Sequence, residues 1–298
     1  MFRLAHLSDP HLPMPQARPS ELLGKRLSGY ANWWRHRVHL HRPEALAAIV
    51  RDISDARPDH IALTGDVVNV SLEEEFRRAA RWLAELAPAD RLSLVPGNHD
   101  AYVPQRWDRA LGGWAAWMAG DGGAPPRGPG DFPFLRRRGP IALVGLTTAL
   151  PTPTFFATGR LGGAQIERCE EMLRRLGANG LYRVVLIHHP PLAVGSRHKR
   201  LSDVLAFQAM LRRVGCELIL HGHTHRSEVA RLDGPAGPVP VLGVTSASAA
   251  VESRYGRARW HLIEIERAGA GWQTRVAVRA ARADGACEDD GRYSFRTA

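Results

Sequence analysis

Short polar turns that carry histidine and aspartate directly follow five predicted strands, and they constrain this 298-residue chain more than any other feature. The carboxyl ends of strands in an open α/β sheet lie at a common edge, where ligand sites form. Side chains far apart in the sequence are therefore expected to meet there. The side chains concerned are those of Asp9, His11, Asp66, Asn98, His99, Asp100, His188, His223 and His225.

Apolar periodicity predicts strands that alternate with helices in the first three quarters of the chain. The expected strands are 3–8, 60–64, 92–95, 141–147, 183–187 and 217–220, and the expected helices are 43–55, 72–87, 164–176 and 204–214. Shorter alternating runs at 229–232, 239–244, 261–266 and 272–278 are typical of antiparallel strands, and we expect them to complete a second sheet. Residues 1–282 are predicted to form one domain, and residues 283–298 a polar, flexible tail.

The ligand types at the strand ends indicate a divalent metal site. Imidazole, carboxylate and amide donors without a thiolate favour manganese, iron, zinc or cobalt. The donors exceed what one four-coordinate ion needs, whereas two ions about 3.5–4 Å apart would use them, with Asp66 as the bridge. The three cysteines share no spacing with these turns, and they are interpreted as structural.

The complete set of turns resembles the signature of the calcineurin-like metallophosphoesterases, over residues 4 to 226. Its parts are Asp9-x-His11, Gly65-Asp66, Gly97-Asn98-His99-Asp100, His188 and Gly222-His223-x-His225. In detail, His188-His189-Pro190-Pro191 together with Gly97-Asn98-His99-Asp100 is most similar to the bacterial class III cyclic nucleotide phosphodiesterase and glycerophosphodiesterase branch. The resemblance implies a four-layer α/β/β/α sandwich of the α/β class. It also implies hydrolysis of a phosphodiester by a hydroxide that bridges two metal ions.

The resemblance further implies a role for each matching residue. One ion would be held by Asp9, His11 and His225, and the other by Asn98, His188 and His223, with Asp66 shared between them. His99 would lie beside the substrate phosphate and protonate the leaving oxygen or stabilise charge. Asp100 would orient His99, as carboxylates commonly orient imidazoles.

A basic insertion, residues 14–42, follows the first of these turns. It contributes to a net charge of +10 and contains Trp33 and Trp34. Positions 23, 27, 30, 34 and 38 share one helical face. This face would either pack on the domain as a lid or lie on a membrane surface. The second interpretation predicts a different function, a membrane-associated pyrophosphatase of a lipid-linked nucleotide such as UDP-diacylglucosamine, which related bacterial enzymes cleave.

Composition excludes several other classes of protein. Three cysteines are too few for a disulfide-stapled module, and no apolar run approaches the roughly 18 residues of a transmembrane helix. No signal peptide is recognised, so we expect a cytoplasmic protein, with peripheral attachment to the membrane if the insertion binds lipid. A small phosphodiester is the expected partner. Nucleic acid is not expected, because aromatic stacking platforms are not evident beyond the insertion.

Overall fold

The chain folds around two β-sheets, and a computed structural model describes residues 1–193, 196–253 and 256–297. The strands are β1 (Phe2–Leu7), β2 (His60–Leu63), β3 (Leu92–Leu94), β4 (Phe134–Arg138), β5 (Ile141–Gly145), β6 (Tyr182–Leu186), β7 (Leu218–His221), β8 (Glu228–Leu232), β9 (Val239–Gly243), β10 (Arg259–Ala268), β11 (Gly271–Ala281) and β12 (Cys287–Thr297). The α-helices are α1 (Lys25–Asn32), α2 (Val38–Leu40), α3 (Pro43–Ala56), α4 (Glu73–Leu86), α5 (Gly163–Ala178) and α6 (Val204–Val214). A π-helical turn, Trp33–Arg37, joins α1 to α2, and short 3-10 helices lie at Pro19–Glu21, Trp107–Arg109, Leu111–Met118 and Pro129–Asp131.

Each sheet has six strands and a parallel segment that ends at the same side of the molecule. The first sheet has the order β12-β11-β10-β1-β2-β3, in which β1, β2 and β3 run parallel. The second has the order β4-β5-β6-β7-β9-β8, in which β5, β6, β7 and β9 run parallel. The parallel strands are apolar almost throughout because both faces of each sheet are covered.

Alternate residues of the second sheet face different cores. Ile141 and Leu143 of β5 join the core shared with the first sheet, whereas Ala142 and Val144 join the core beneath α5 and α6. Tyr182 of β6 reaches across to the first sheet, where its hydroxyl lies 2.7 Å from the Thr274 hydroxyl. Helices α3 and α4 bury their apolar faces in the first core. The architecture is therefore the expected four-layer α/β/β/α sandwich.

The C-terminal strands differ from the sequence prediction in two respects. Strands β10 to β12 extend the first sheet, and only β8 and β9 join the second. The segment predicted to be a flexible tail instead contains β12, which pairs antiparallel with β11. Its composition is polar because one face is open to solvent. On the other face, Tyr293 and Phe295 pack against the first core, and this period-two pattern is the signal that the sequence prediction missed.

A strand that the sequence prediction also missed, β4, forms the edge of the second sheet. Its run of arginines hides the strand pattern because the Arg136 side chain points inward. The Arg136 guanidinium donates to the carbonyl oxygens of Leu92, Ala116 and Ala119. A buried cation is tolerated there because backbone acceptors surround it. Within the described ranges, no helix is both long enough and apolar enough to cross a membrane.

Two fully buried histidines lie opposite each other on β1 and β10. The rings of His6 and His261 are 5.5 Å apart, and neither side chain is exposed to solvent. Burial lowers the pKa of His6 well below its usual value and lowers the pKa of His261 to about 3, with a further contribution to the latter from Arg259. Both imidazoles are therefore neutral in the folded protein near pH 5, whereas those of the unfolded chain are protonated.

The His261→Leu variant should lose part of the acid sensitivity of folding. Because the unfolded chain binds a proton that folded His261 does not, lowering the pH from 7 to 5 costs the wild type about 2 kcal/mol at this residue. Urea unfolding with chelator present measures the free energy of unfolding at each pH. Between pH 7 and pH 5, this free energy should fall less for the variant than for the wild type, by about that amount. Exposed His39→Leu is the matched control. Parallel pH profiles for wild type and His261→Leu would contradict the assignment.

Candidate metal centre

The five turns predicted from the sequence meet at one edge of the two sheets. His11 Nε2 lies 3.4 Å from His225 Nε2 and 3.9 Å from Asp66 Oδ2. His225 Nε2 lies 3.1 Å from Asp9 Oδ1. These four residues form a first donor group, although they come from positions more than 200 residues apart.

A second donor group adjoins the first and shares Asp66 with it. His188 Nε2 lies 3.4 Å from Asp66 Oδ2 and 3.2 Å from Asn98 Oδ1. The same Asn98 oxygen lies 2.8 Å from His223 Nδ1. The structure therefore brings the predicted ligands close together, and Asp66 is the residue common to both groups.

The chemistry of these donors fits divalent cations. The donor atoms of Asp9, His11 and Asp66 lie within 4.8 Å of one another, as do those of Asp66, His188 and His223. Asp9 Oδ1 is buried and faces His225 Nε2 at 3.1 Å, so a cation between the two atoms would bind both of them. Buried carboxylates beside closely spaced imidazole nitrogens are the donors that a pair of cation sites needs.

Backbone contacts orient the histidine rings for this purpose. His11 Nδ1 lies 3.2 Å from the Val68 carbonyl oxygen, and His188 Nδ1 lies 2.6 Å from that of Thr64. His223 uses the opposite arrangement, with Nε2 2.6 Å from the Lys199 carbonyl oxygen. Because a carbonyl only accepts, the nitrogen facing it carries the proton. The other nitrogen of each ring is then free to bind a cation.

The backbone at these turns is held in an uncommon conformation. Left-handed φ angles occur at Asp9 (53°), His11 (38°), Asp66 (56°), His223 (65°) and His225 (55°). Non-glycine residues rarely adopt such angles, and where they do the strain commonly marks a functional site. Glycines allow the close packing: a Cβ at Gly97 would overlap the Asp66 carboxylate, and one at Gly222 would overlap Ser8 and Asp9.

Electrostatics distinguish His188 from His223 of the same donor group, whose pKa is lowered to about 3 by burial. Burial alone would lower the pKa of His188, but the Asp66 and Asp9 carboxylates outweigh it and raise the pKa to about 9. Burial would raise the pKa of Asp66, yet His188, His99 and His11 hold it well below its usual value. The carboxylates thus create a negative potential that a proton on His188 partly neutralises. A bound cation would displace that proton.

Asp100 does not have the role that the resemblance implies. Its carboxylate accepts hydrogen bonds from the backbone N–H groups of Gly97, Asp66, Val67 and Val68, at 2.8, 2.8, 2.8 and 3.1 Å. His99 instead has its Nδ1 2.5 Å from the Asn69 carbonyl oxygen and 3.2 Å from an Arg37 guanidinium nitrogen. Asp100 therefore holds the Asp66 turn, because the carboxylate faces backbone donors rather than the imidazole. The Asn69 carbonyl oxygen orients His99, and the Arg37 guanidinium lies beside the same ring nitrogen.

A cavity of about 660 Å³ lies over the donor groups, and the basic insertion forms one of its walls. Insertion residues Asn32, His36, Arg37, Leu40 and His41 line it together with Asp66, Asn98, His99, His223 and His225. The sequence motifs do not predict these insertion residues at the site. The helical pattern of the insertion shows no preference for these positions, and only packing against the turn at 246–250 brings them to the site.

The apolar face of the insertion packs on the domain only in part. Leu23, Leu27 and Trp34 are 75%, 59% and 66% exposed, whereas Tyr30 and Val38 of the same predicted face are half-buried. Phe155, 87% exposed, lies in the neighbouring loop that Lys25 contacts through Thr152. The insertion therefore presents apolar side chains outward while its other face borders the metal centre.

A sequence match with the calcineurin-like phosphoesterase family extends over residues 2–227, and the chain belongs to this family. A protein of Synechococcus sp. named as a probable cyclic nucleotide phosphodiesterase is 24% identical over 240 residues, which cover 77% of this chain and 80% of the relative. The family, the fold and the donor groups together make the chain a metal-dependent phosphoesterase.

Solved structures share the fold at low sequence identity. A dimetal phosphatase of Danio rerio superposes with a TM-score of 0.64 at 12% identity, covering 99% of this chain and 98% of that one. A purple acid phosphatase from yellow lupin superposes with a TM-score of 0.58 at 13% identity, covering 99% of this chain and 53% of the larger protein. The chain therefore has the fold of these phosphatases.

Removal of the shared carboxylate should weaken cation binding at both donor groups. Asp66→Ala deletes the one residue that contributes to each, so the variant should retain less than half of the manganese that the wild type holds after equilibrium dialysis, with turnover lost. Asp66→Asn, which keeps the side-chain size, should behave in the same way because the negative charge is missing. Exposed Asp108→Asn is the control. Wild-type metal content in Asp66→Ala would contradict the shared role.

Proposed function

We propose that the protein hydrolyses a phosphodiester, of the cyclic nucleotide or glycerophosphodiester type, with two divalent cations. The observation that carries this proposal is the pair of donor groups joined by Asp66 at the floor of a cavity lined by His99 and Arg37. The first ion would be held by Asp9, His11 and His225, and the second by Asn98, His188 and His223. Manganese, iron, zinc and cobalt all suit these ligands.

When bound, the two cations would polarise a phosphoryl oxygen and make an ionised water available near neutral pH. The protein residues would bind and orient the substrate around them. Arg37 and Lys199 line the cavity and would attract the phosphate anion. A cavity of this volume accepts a nucleotide-sized molecule.

His99 is the residue we assign to the leaving group. Its Nδ1 proton points to the Asn69 carbonyl oxygen, so Nε2 is the nitrogen that can exchange a proton with substrate. Burial, together with Arg37, lowers the pKa of His99 to about 3 in the absence of substrate. A phosphate anion nearby would favour the charged imidazole, and the Nε2 proton could then pass to the departing oxygen. Asp100 supports this step only through the Asp66 turn.

The choice of a diester over a monoester has two supports. The His188-His189-Pro190-Pro191 and Gly97-Asn98-His99-Asp100 motifs resemble those of the phosphodiesterase branch. The Synechococcus relative, named as a probable cyclic nucleotide phosphodiesterase, shares 24% identity.

Hydrolysis of bis-p-nitrophenyl phosphate tests the proposal directly. The wild type with manganese should cleave this diester faster than p-nitrophenyl phosphate, and chelator should remove the activity because the donor groups then hold no cation. His99→Ala should lower kcat by about 10²–10⁴ while metal content stays unchanged. His39→Ala, on the exposed side of the insertion, is the matched control. Activity that chelator leaves intact would refute the metal dependence, and a strong preference for the monoester would refute the diester assignment.

A second candidate function is favoured by the exposed apolar face of the basic insertion. Leu23, Leu27 and Trp34 project outward beside Arg and Lys side chains, an arrangement suited to an anionic membrane surface. The substrate would then be a lipid-linked nucleotide pyrophosphate such as UDP-diacylglucosamine. The protein would be attached peripherally to the membrane, with the cavity facing the headgroups.

Cosedimentation with phosphatidylglycerol vesicles should distinguish this candidate from the first. The wild type should pellet with the vesicles, and Leu27→Ser with Trp34→Ser should stay in the supernatant because the apolar contact is lost. Leu205→Ser is the matched control, since Leu205 is 71% exposed on helix α6. A wild type that stays in the supernatant and does not cleave UDP-diacylglucosamine would exclude the membrane candidate while leaving the diester proposal standing.

A further inference from the structure

His41, at the end of the basic insertion, lies against the first donor group. Its ring centroid is 4.5 Å from that of His11 and 5.8 Å from that of His225. One ligand nitrogen from each of His11, His41 and His225 lies within 4.8 Å of the others. None of the five motif turns contains His41, so the insertion adds an imidazole that the motifs do not include.

The backbone on both sides of His41 is fixed to the turn that follows β9. The Arg42 N–H donates to the Ser248 carbonyl oxygen at 2.7 Å, and the Ala250 N–H donates to that of Leu40 at 2.8 Å. An antiparallel bridge pairs His41 with Ala249. The imidazole is thus held at the site by main-chain hydrogen bonds, although it comes from an insertion whose other face is exposed.

The side chain is oriented as the predicted metal ligands are. His41 Nδ1 lies 2.8 Å from the Ser248 hydroxyl, which can accept its proton. The adjoining Ser246 hydroxyl donates to the Asp9 carbonyl oxygen at 2.7 Å, so the same turn contacts a predicted ligand of this group. With Nδ1 directed at Ser248, Nε2 is the nitrogen left to face His11 and His225.

We propose that His41 Nε2 is an additional ligand of the cation that Asp9, His11 and His225 would hold, an inference that rests on the proposed metal centre. Opposite nitrogen ligands of one ion lie about 4.2 Å apart, so a spread of 4.8 Å would require them to move inward by less than about 1 Å. The consequence is structural as well as chemical. Occupation of this site would tether the insertion, and with it Arg37 beside His99, to the metal centre.

The test compares cation binding by the wild type and His41→Phe. Phenylalanine keeps a ring against His11 and His225 but removes the nitrogen, so the fold is disturbed little. Titration with Co²⁺ against a competing chelator should show that His41→Phe binds one of the two ions at least about tenfold more weakly than the wild type does. Its affinity for the other ion should be unchanged. The visible absorption spectrum of the Co²⁺-loaded protein should also change, because a different ligand replaces the imidazole.

Two further variants separate coordination from packing. Ser248→Ala removes the partner of Nδ1 and should weaken the same ion by a smaller factor, because the ring remains but is less well oriented. His39→Phe, two residues away and exposed, should leave both affinities and the Co²⁺ spectrum unchanged.

The outcomes distinguish this inference from the proposed function. If His41→Phe binds two ions with wild-type affinities and an unchanged Co²⁺ spectrum, the inference is overturned. A raised KM in that variant would then assign the imidazole to substrate binding. A wild type that binds no Co²⁺ would refute the metal centre itself, and the inference with it. Selective weakening of one ion in His41→Phe, with His39→Phe unaffected, is the result we expect.

Discussion

The Asp100 carboxylate accepts hydrogen bonds from four backbone N–H groups. These bonds hold the two halves of the site together. These bonds fix the turn after β2 against the turn after β3, and they set the left-handed backbone of Asp66. A buried carboxylate is tolerated because charge-assisted N–H donors satisfy both of its oxygens. Asp66 is thereby placed between the two donor groups, and everything that the centre can bind depends on that position.

The basic insertion links this rigid centre to the surface. Its polar face supplies Arg37 and His41 to the cavity, and its apolar face leaves Leu23, Leu27 and Trp34 exposed. One segment therefore both lines the cavity and exposes apolar side chains. A substrate or a membrane that contacts the insertion would act on residues adjoining the metal centre. The family fold supplies the reaction class, whereas this segment distinguishes the chain.

Much of the site was predictable because each predicted ligand follows an apolar strand. Such runs identify strands, and parallel strands must end at a shared edge, so Asp9, Asp66 and His188 were expected to meet. The role of Asp100 was not predictable, because a carboxylate beside a histidine in sequence need not point at its ring. Strand β12 was missed since its single apolar face, Tyr293 and Phe295, is sparse among charged residues.

The sequence by itself determined the alternation of strands and helices, the family signature and the donor types, because these depend on local pattern and residue chemistry. Only the tertiary structure decided which side chains outside the motifs reach the centre. His41 is brought there by main-chain bonds to the turn at 246–250, about 200 residues later. Contacts across such distances depend on how the two sheets pack, and no local periodicity encodes them.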